Sequence, residues 1–162
     1  MKKQIVLGGV IAAAFVVLAT AHAQQPAPST PSAPVPYVLT MGDMMNTLIQ
    51  PRHAKLGLAG VARNWPLAAY ALVEIRQAFA GIIKAQPKFR GYPVADLVDA
   101  ALKQPLAEMD EAIKQQDPKQ FAAAYAHLTQ GCNACHASLD HAFVVTKVPD
   151  TSAFPNQDFS KH

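Results

Sequence analysis

Both cysteines of the 162-residue chain fall within "TQGCNACHASLDH", residues 129–141, as Cys132 and Cys135, and His136 follows the second directly. On a helix, side chains three and four positions apart project to one side. Two thiols at this spacing can form thioethers to the two vinyl groups of a haem, and the adjoining imidazole can then reach the iron as proximal ligand. The pattern C-x-x-C-H is accordingly that of c-type haem attachment. Three other chemistries fit less well. A thioredoxin-like dithiol belongs at a helix start in a βαβ pattern, and no strand-like run precedes this one. A zinc site needs a fourth ligand; His141 could serve, but two cysteines and a histidine on one helical face make a poor tetrahedron. A disulfide across three residues would strain a helix and close too small a loop to stabilise much. The expected cofactor is one covalent haem c with its iron.

The beginning of the chain agrees with that chemistry, because haem c is attached outside the cytoplasm. "MKKQIVLGGVIAAAFVVLATAHAQ" has two lysines, an apolar run and Ala21-His22-Ala23, the layout of a secretory signal peptide. Residues 1–23 are expected to be removed after Ala23, giving a periplasmic protein of 139 residues, enough for one domain with a modest core. No further apolar run approaches the length of a membrane span, so no membrane association is expected after cleavage. Losing Lys2 and Lys3 leaves twelve basic side chains against eleven acidic ones, a balance that gives no reason to expect nucleic acid as a partner. Residues 24–40 form a Pro/Ala-rich linker; "QQPAPSTPSAPVP", residues 24–36, has five prolines and reads as a disordered tether.

The elements that must position the motif are helices. Four apolar stripes at helical spacing predict an all-α, four-helix up-down-up-down bundle over residues 41–143, followed by an extended, non-helical tail over 144–162. In 41–63 the stripe is Met41, Met45, Leu48, Ile49, Leu56 and Gly60, with His53 on the same face; Pro51 should kink or split this helix. In 65–85 it is Ala68, Leu72, Ile75, Phe79, Ile82 and Ile83, with Asn64 as cap and Pro66 in the first turn. The third runs Leu97, Val98, Ala101, Leu102, Leu106, Met109 and Ile113, with Pro105 inside. The fourth starts at the Asp117 cap and Pro118 and continues Phe121, Tyr125, Leu128, Cys132, Cys135 and Leu139. These six alternate in steps of four and three, so the helix that packs the bundle also presents the motif.

A C-x-x-C-H late in the last helix of an exported bundle resembles the class II cytochromes c, meaning cytochrome c-prime and its low-spin relatives with a methionine ligand. The resemblance covers residues 41–143. It implies that Cys132 and Cys135 carry the thioethers and that His136 is the proximal ligand. "QPRHAKLGLAG", "NWPLAAYALVEIRQAF" and the tail "AFPNQDF" also resemble a group of exported proteobacterial single-haem c-type proteins. The chain departs from cytochrome c-prime in its first helix, which contains Pro51 and His53, so nothing about the distal side is carried over.

Function then turns on what faces the iron opposite His136. Met45, Met44 and His53 are the candidates, with a five-coordinate iron as the alternative to all three. The ordinary roles stand beside them: a methionine on an apolar stripe is core filler, and a histidine there is a satisfied core residue. Arg52 and Lys55 could partner the haem propionates or simply be solvated charges on a helix face. His141 is read as a helix-end residue, His127 as solvent-facing, and Trp65 and Tyr125 as packing residues. The expected function is electron transfer to a redox partner protein rather than catalysis. The alternatives are an open iron that binds a small gas such as NO or CO, and a haem subunit of a larger oxidoreductase. A homodimer is compatible with the helix faces.

Overall fold

A computed structural model describes residues 36–160. The expected signal peptide and residues 24–35 of the linker lie outside the described residues; residues 36–40 are exposed and form neither helix nor strand. The rest is predominantly helical: α1 (Met41–Met44), a π-helical turn (Met45–Ile49), α2 (Gln50–Val61), α3 (Trp65–Ala85), β1 (Lys88–Phe89), β2 (Tyr92–Pro93), α4 (Val94–Gln115) and α5 (Pro118–Ser138).

The first three elements form one helical run, opened by a capping box. The Thr40 hydroxyl accepts the Asp43 N–H, and the Asp43 carboxylate accepts the Thr40 N–H. Pro51 does not split the run. In a regular α-helix it would leave the Thr47 carbonyl without a donor and crowd it with its ring. Here the turn before it is widened: the Gln50 N–H donates to the Met45 carbonyl five residues back, and the backbone stays right-handed helical through Ile49 and Gln50. The Arg52 guanidinium donates to the Leu48 carbonyl at 2.9 Å. A π-turn takes in one extra residue, which changes the phase of everything before it. Met44, Ile49, His53, Leu56 and Gly60 therefore form the inward line, stepping by five, four, three and four. Met44 is 3% exposed, and Met45, expected on that line, is only half-buried.

Helix α3 has the predicted bounds, cap and stripe: Asn64 Oδ1 accepts the Leu67 N–H, and Ala68, Leu72, Ile75, Phe79 and Ile82 are buried. Contrary to the sequence expectation, α3 is long and apolar enough to cross a membrane by length and composition. It packs one face on α2 and α4, and Arg52–Glu74 and Arg76–Asp110 ion pairs tie it to both. The following loop contains a minimal hairpin in which Phe89 pairs with Tyr92 and Arg90 and Gly91 take positive φ.

Pro105 lies inside α4, so the Ala101 carbonyl has no N–H four residues on. Gly131 of α5 approaches that carbonyl so closely that a Cβ on residue 131 would collide with it. Helix α5 also packs on α2: a Cβ at Gly57 would meet the Tyr125 ring at 2.6 Å, and one at Gly60 would fall inside the Phe121 ring. His53 bonds Thr129 and Tyr125. Rising numbers on α2 meet falling numbers on α5, so the two run antiparallel.

Two expectations about the end of the chain need correction. Helix α5 ends at Ser138 rather than near Phe143, because Asp140 takes a left-handed backbone (φ 60°) and turns the chain. The tail is non-helical as predicted, but it packs against the helices. Thr146 pairs with Asn133, Pro149 covers Gly57, Phe154 lies under the Lys55 ammonium at 4.8 Å, and Phe159 packs on the core. The Ser160 carbonyl accepts from Asn64. Residues 139–160 form a strap from the end of α5 along α2 to the start of α3.

Candidate functional site

Cys132 continues the buried line of α5 and packs against the core, while Cys135 and His136 stand one turn further on, half-buried. Both cysteines are free thiols. Burial, with Cys135 nearby, pushes the Cys132 thiol up to about 11, and burial also raises Cys135. Neither is therefore a thiolate of the kind that drives disulfide exchange, which needs a depressed thiol pKa. Among the described residues no three His, Cys, Asp or Glu side chains converge on one point as a bare metal ion would require.

Cys135 opens onto a cavity of about 340 Å³ between α4 and α5, lined by Tyr92, Pro93, Leu97, Ala100, Ala101 and Ala134 among others. Its walls are mostly apolar, with Asp96 and Ser138 as polar members, and Gly131 approaches the Ala101 carbonyl closely on one side.

His136 is held by a closed cycle of hydrogen bonds. The His141 N–H donates to the His136 carbonyl, the Val144 N–H donates to the His141 carbonyl, and His136 Nδ1 meets the Val144 carbonyl, each at 2.8 Å. A carbonyl only accepts, so Nδ1 carries the hydrogen, and in the neutral ring the lone pair is on Nε2. The cycle is anchored outside by Arg90, whose guanidinium lies 2.6 Å from the Asp140 carboxylate. A histidine that donates through one ring nitrogen to a backbone carbonyl is oriented to bind a metal through the other. Two thiols and an oriented imidazole are a donor set that fits a covalently attached haem; of the three side chains, Cys135 is the one that lines the cavity.

The opposite side differs from expectation. His53 is 5% exposed and both its ring nitrogens are taken. The Thr129 hydroxyl donates to the Tyr125 carbonyl at 2.8 Å, so its oxygen accepts from His53 Nε2 at 3.0 Å. Nδ1 faces the Tyr125 hydroxyl at 2.9 Å, and that hydroxyl also lies 2.7 Å from the His53 carbonyl. Burial pushes the His53 pKa down to about 4, so the ring is neutral. Both ring nitrogens of His53 are thus engaged by protein groups, and the residue stands away from the motif. It is level with Thr129, seven residues or about 10 Å along α5 from His136. Extending the antiparallel register brings Ile49 level with Cys132 and Met44–Met45 level with His136.

Arg52 and Lys55 are not brought to the motif either. Arg52 joins Leu48 and Glu74, and Lys55 covers the Phe154 ring, so their partners are protein groups. His141 lies just past the helix end between Phe89 and Phe143. His127 is half-exposed and bonds Glu108 at 2.7 Å; Trp65 packs edge-on against Phe121. Sequence reasoning missed Asn133, Thr129 and the Val144 carbonyl; Gly131, directly before Cys132, was the available sign of close packing there. No family model matches the chain, and neither does any curated protein or solved structure.

Proposed function

We propose that this chain is an exported c-type haem protein that transfers single electrons to a redox partner protein. Cys132 and Cys135 would hold the haem through thioethers, and His136 would bind its iron through Nε2. The observation that carries the reading is the His136 cycle: Nδ1 is committed to the Val144 carbonyl and Nε2 is left available, directly after two unpaired thiols. The haem, when bound, supplies an Fe(III)/Fe(II) couple. The chain's own residues do the rest. The Val144 carbonyl makes the imidazole a stronger donor, and Leu97 and Ala101 give the Cys135 side apolar neighbours. The finer architecture belongs to the same reading: α1–α2, α3, α4 and α5 as an up-down-up-down bundle like that of the class II cytochromes c, which the chain resembles in sequence.

Met44 and Met45 would be the candidates for a second iron ligand, because the α2–α5 register, extended into α1, brings them toward the level of His136. A methionine opposite histidine raises the haem potential and suits electron transfer. Two experiments test the reading. Haem staining on a denaturing gel should be present in the exported protein and lost in the Cys132→Ala, Cys135→Ala variant; staining that survives both substitutions refutes covalent attachment. Ferric and ferrous optical spectra should be low-spin and unmoved by CO; a high-spin spectrum that shifts at once with CO would replace the electron carrier with a gas-binding protein.

A further inference from the structure

The C-x-x-C-H pattern leaves its two middle positions unspecified, and here one of them, Asn133, has a partner far along the chain. Its side-chain amide pairs with the backbone of Thr146 as a neighbouring strand would. The Thr146 N–H donates to Asn133 Oδ1 at 2.7 Å, and Asn133 Nδ2 donates to the Thr146 carbonyl at 2.9 Å. Two residues before Thr146 is Val144, whose carbonyl receives His136 Nδ1 at 2.8 Å. Asn133 and His136 are three apart on α5, hence neighbours on its surface. The strap is thus clamped to the helix at one point and presents its carbonyl to the imidazole at the next. Its far end is fixed separately, by the Phe154 and Phe159 rings 6.3 Å apart and by Asn64 on the Ser160 carbonyl.

We propose that Asn133 is a positioning residue for His136 and that the "AFPNQDF" segment is the far anchor of the same device. The strap fixes the imidazole's tautomer and orientation and sets how strongly it donates through Nε2. This rests on the haem reading, since the tuned property is that of an axial ligand. The geometry accounts for two features that haem attachment alone does not: an amide at position 133, and an ordered tail of some twenty residues beyond the last helix. Losing the Nδ1–H bond makes histidine a poorer donor, which disfavours Fe(III) relative to Fe(II).

The test compares the full-length exported protein with Asn133→Ala and Asn133→Asp. Asp keeps the acceptor for the Thr146 N–H, and Ala keeps neither bond. In Asn133→Ala the Thr146 amide and the His136 Nδ1–H should exchange with solvent about tenfold faster, and the reduction potential should rise. Asn133→Asp should restore the Thr146 protection. Unchanged exchange and potential in Asn133→Ala, with haem and helix content intact, overturn the proposal. A third measurement needs no substitution: nitrogen NMR of the haem-free full chain should find His136 in the Nδ1–H tautomer. The Nε2–H tautomer there overturns the strap's role even if neither variant folds. A wild-type protein without covalent haem, but with His136 in the Nδ1–H tautomer, would refute the haem reading and leave the clamp standing.

Discussion

Lowering the pH from about 7.5 to about 4 should cost this protein stability through one residue, His53. Its ring is packed between Tyr125 and Thr129, and burial takes its pKa from 6.5 to about 4. In the unfolded chain the ring takes up a proton as pH falls below 6.5, whereas the folded ring stays neutral until about 4. The unfolded state binds more protons throughout that window, so stability falls as pH falls. The contribution is complete above pH 6.5, declines between 6.5 and 4, and changes no further below. At 1.36 kcal/mol per pH unit, the window amounts to about 3 kcal/mol, a large part of a small domain's stability. Urea unfolding of the wild type and of His53→Gln, across the pH range, reads it directly. Gln can still bond Thr129 and Tyr125 but does not titrate. Its curve should start lower at neutral pH and be flatter by about 3 kcal/mol over the window. The other histidines and all carboxylates are common to both proteins and cancel in the difference. Parallel curves would mean that His53 is not buried as a neutral ring, and the argument from its surroundings would be wrong.

Four further substitutions probe the packing around the motif. Gly131→Ala should destabilise by about 1–3 kcal/mol, because its Cβ collides with the Ala101 carbonyl and must part α4 from α5; an unchanged urea midpoint would show that the helices are not in contact there. Met44→Ala should cost about 2–5 kcal/mol and Met45→Ala clearly less, since only Met44 is fully buried; thermal melts giving the reverse order would remove the phase change ascribed to the π-turn. Tyr125→Phe should cost about 1–3 kcal/mol by leaving the His53 carbonyl without the hydroxyl that donates to it and His53 Nδ1 without its neighbour; a neutral effect in urea unfolding would show that water replaces the hydroxyl.

What the sequence made legible is local. The α3 and α5 starts follow from Asn64–Pro66 and Asp117–Pro118, cap chemistry contained within three residues. The α3 stripe has an uninterrupted period, so its inward face could be read directly. The first helix could not be read this way: one surplus residue in the turn before Pro51 breaks the period, and Met44 takes the place expected of Met45. The end of α5 was overrun because His141 and Phe143 resemble continued helix, and only the left-handed backbone at Asp140 stops it. Tyr125 and Thr129 are more than seventy residues from His53, and nothing in their local pattern announces the pairing. The packing of the extended, non-helical tail is not legible in the sequence, because its anchors are single side chains meeting single backbone groups, with no period for a pattern to detect. The chemical core of the site, Cys132, Cys135 and His136, was legible as a motif; its orientation was not, because Val144 and Asn133 act through a carbonyl and an amide.

The two thiols also stand in unequal settings. The Cys132 sulfur is half-buried against the core, beside the close approach of α4 at Gly131, whereas Cys135 opens onto the cavity between the same two helices. A thiol reagent offered to the folded chain therefore meets one hindered sulfur and one open one, and should label Cys135 before Cys132.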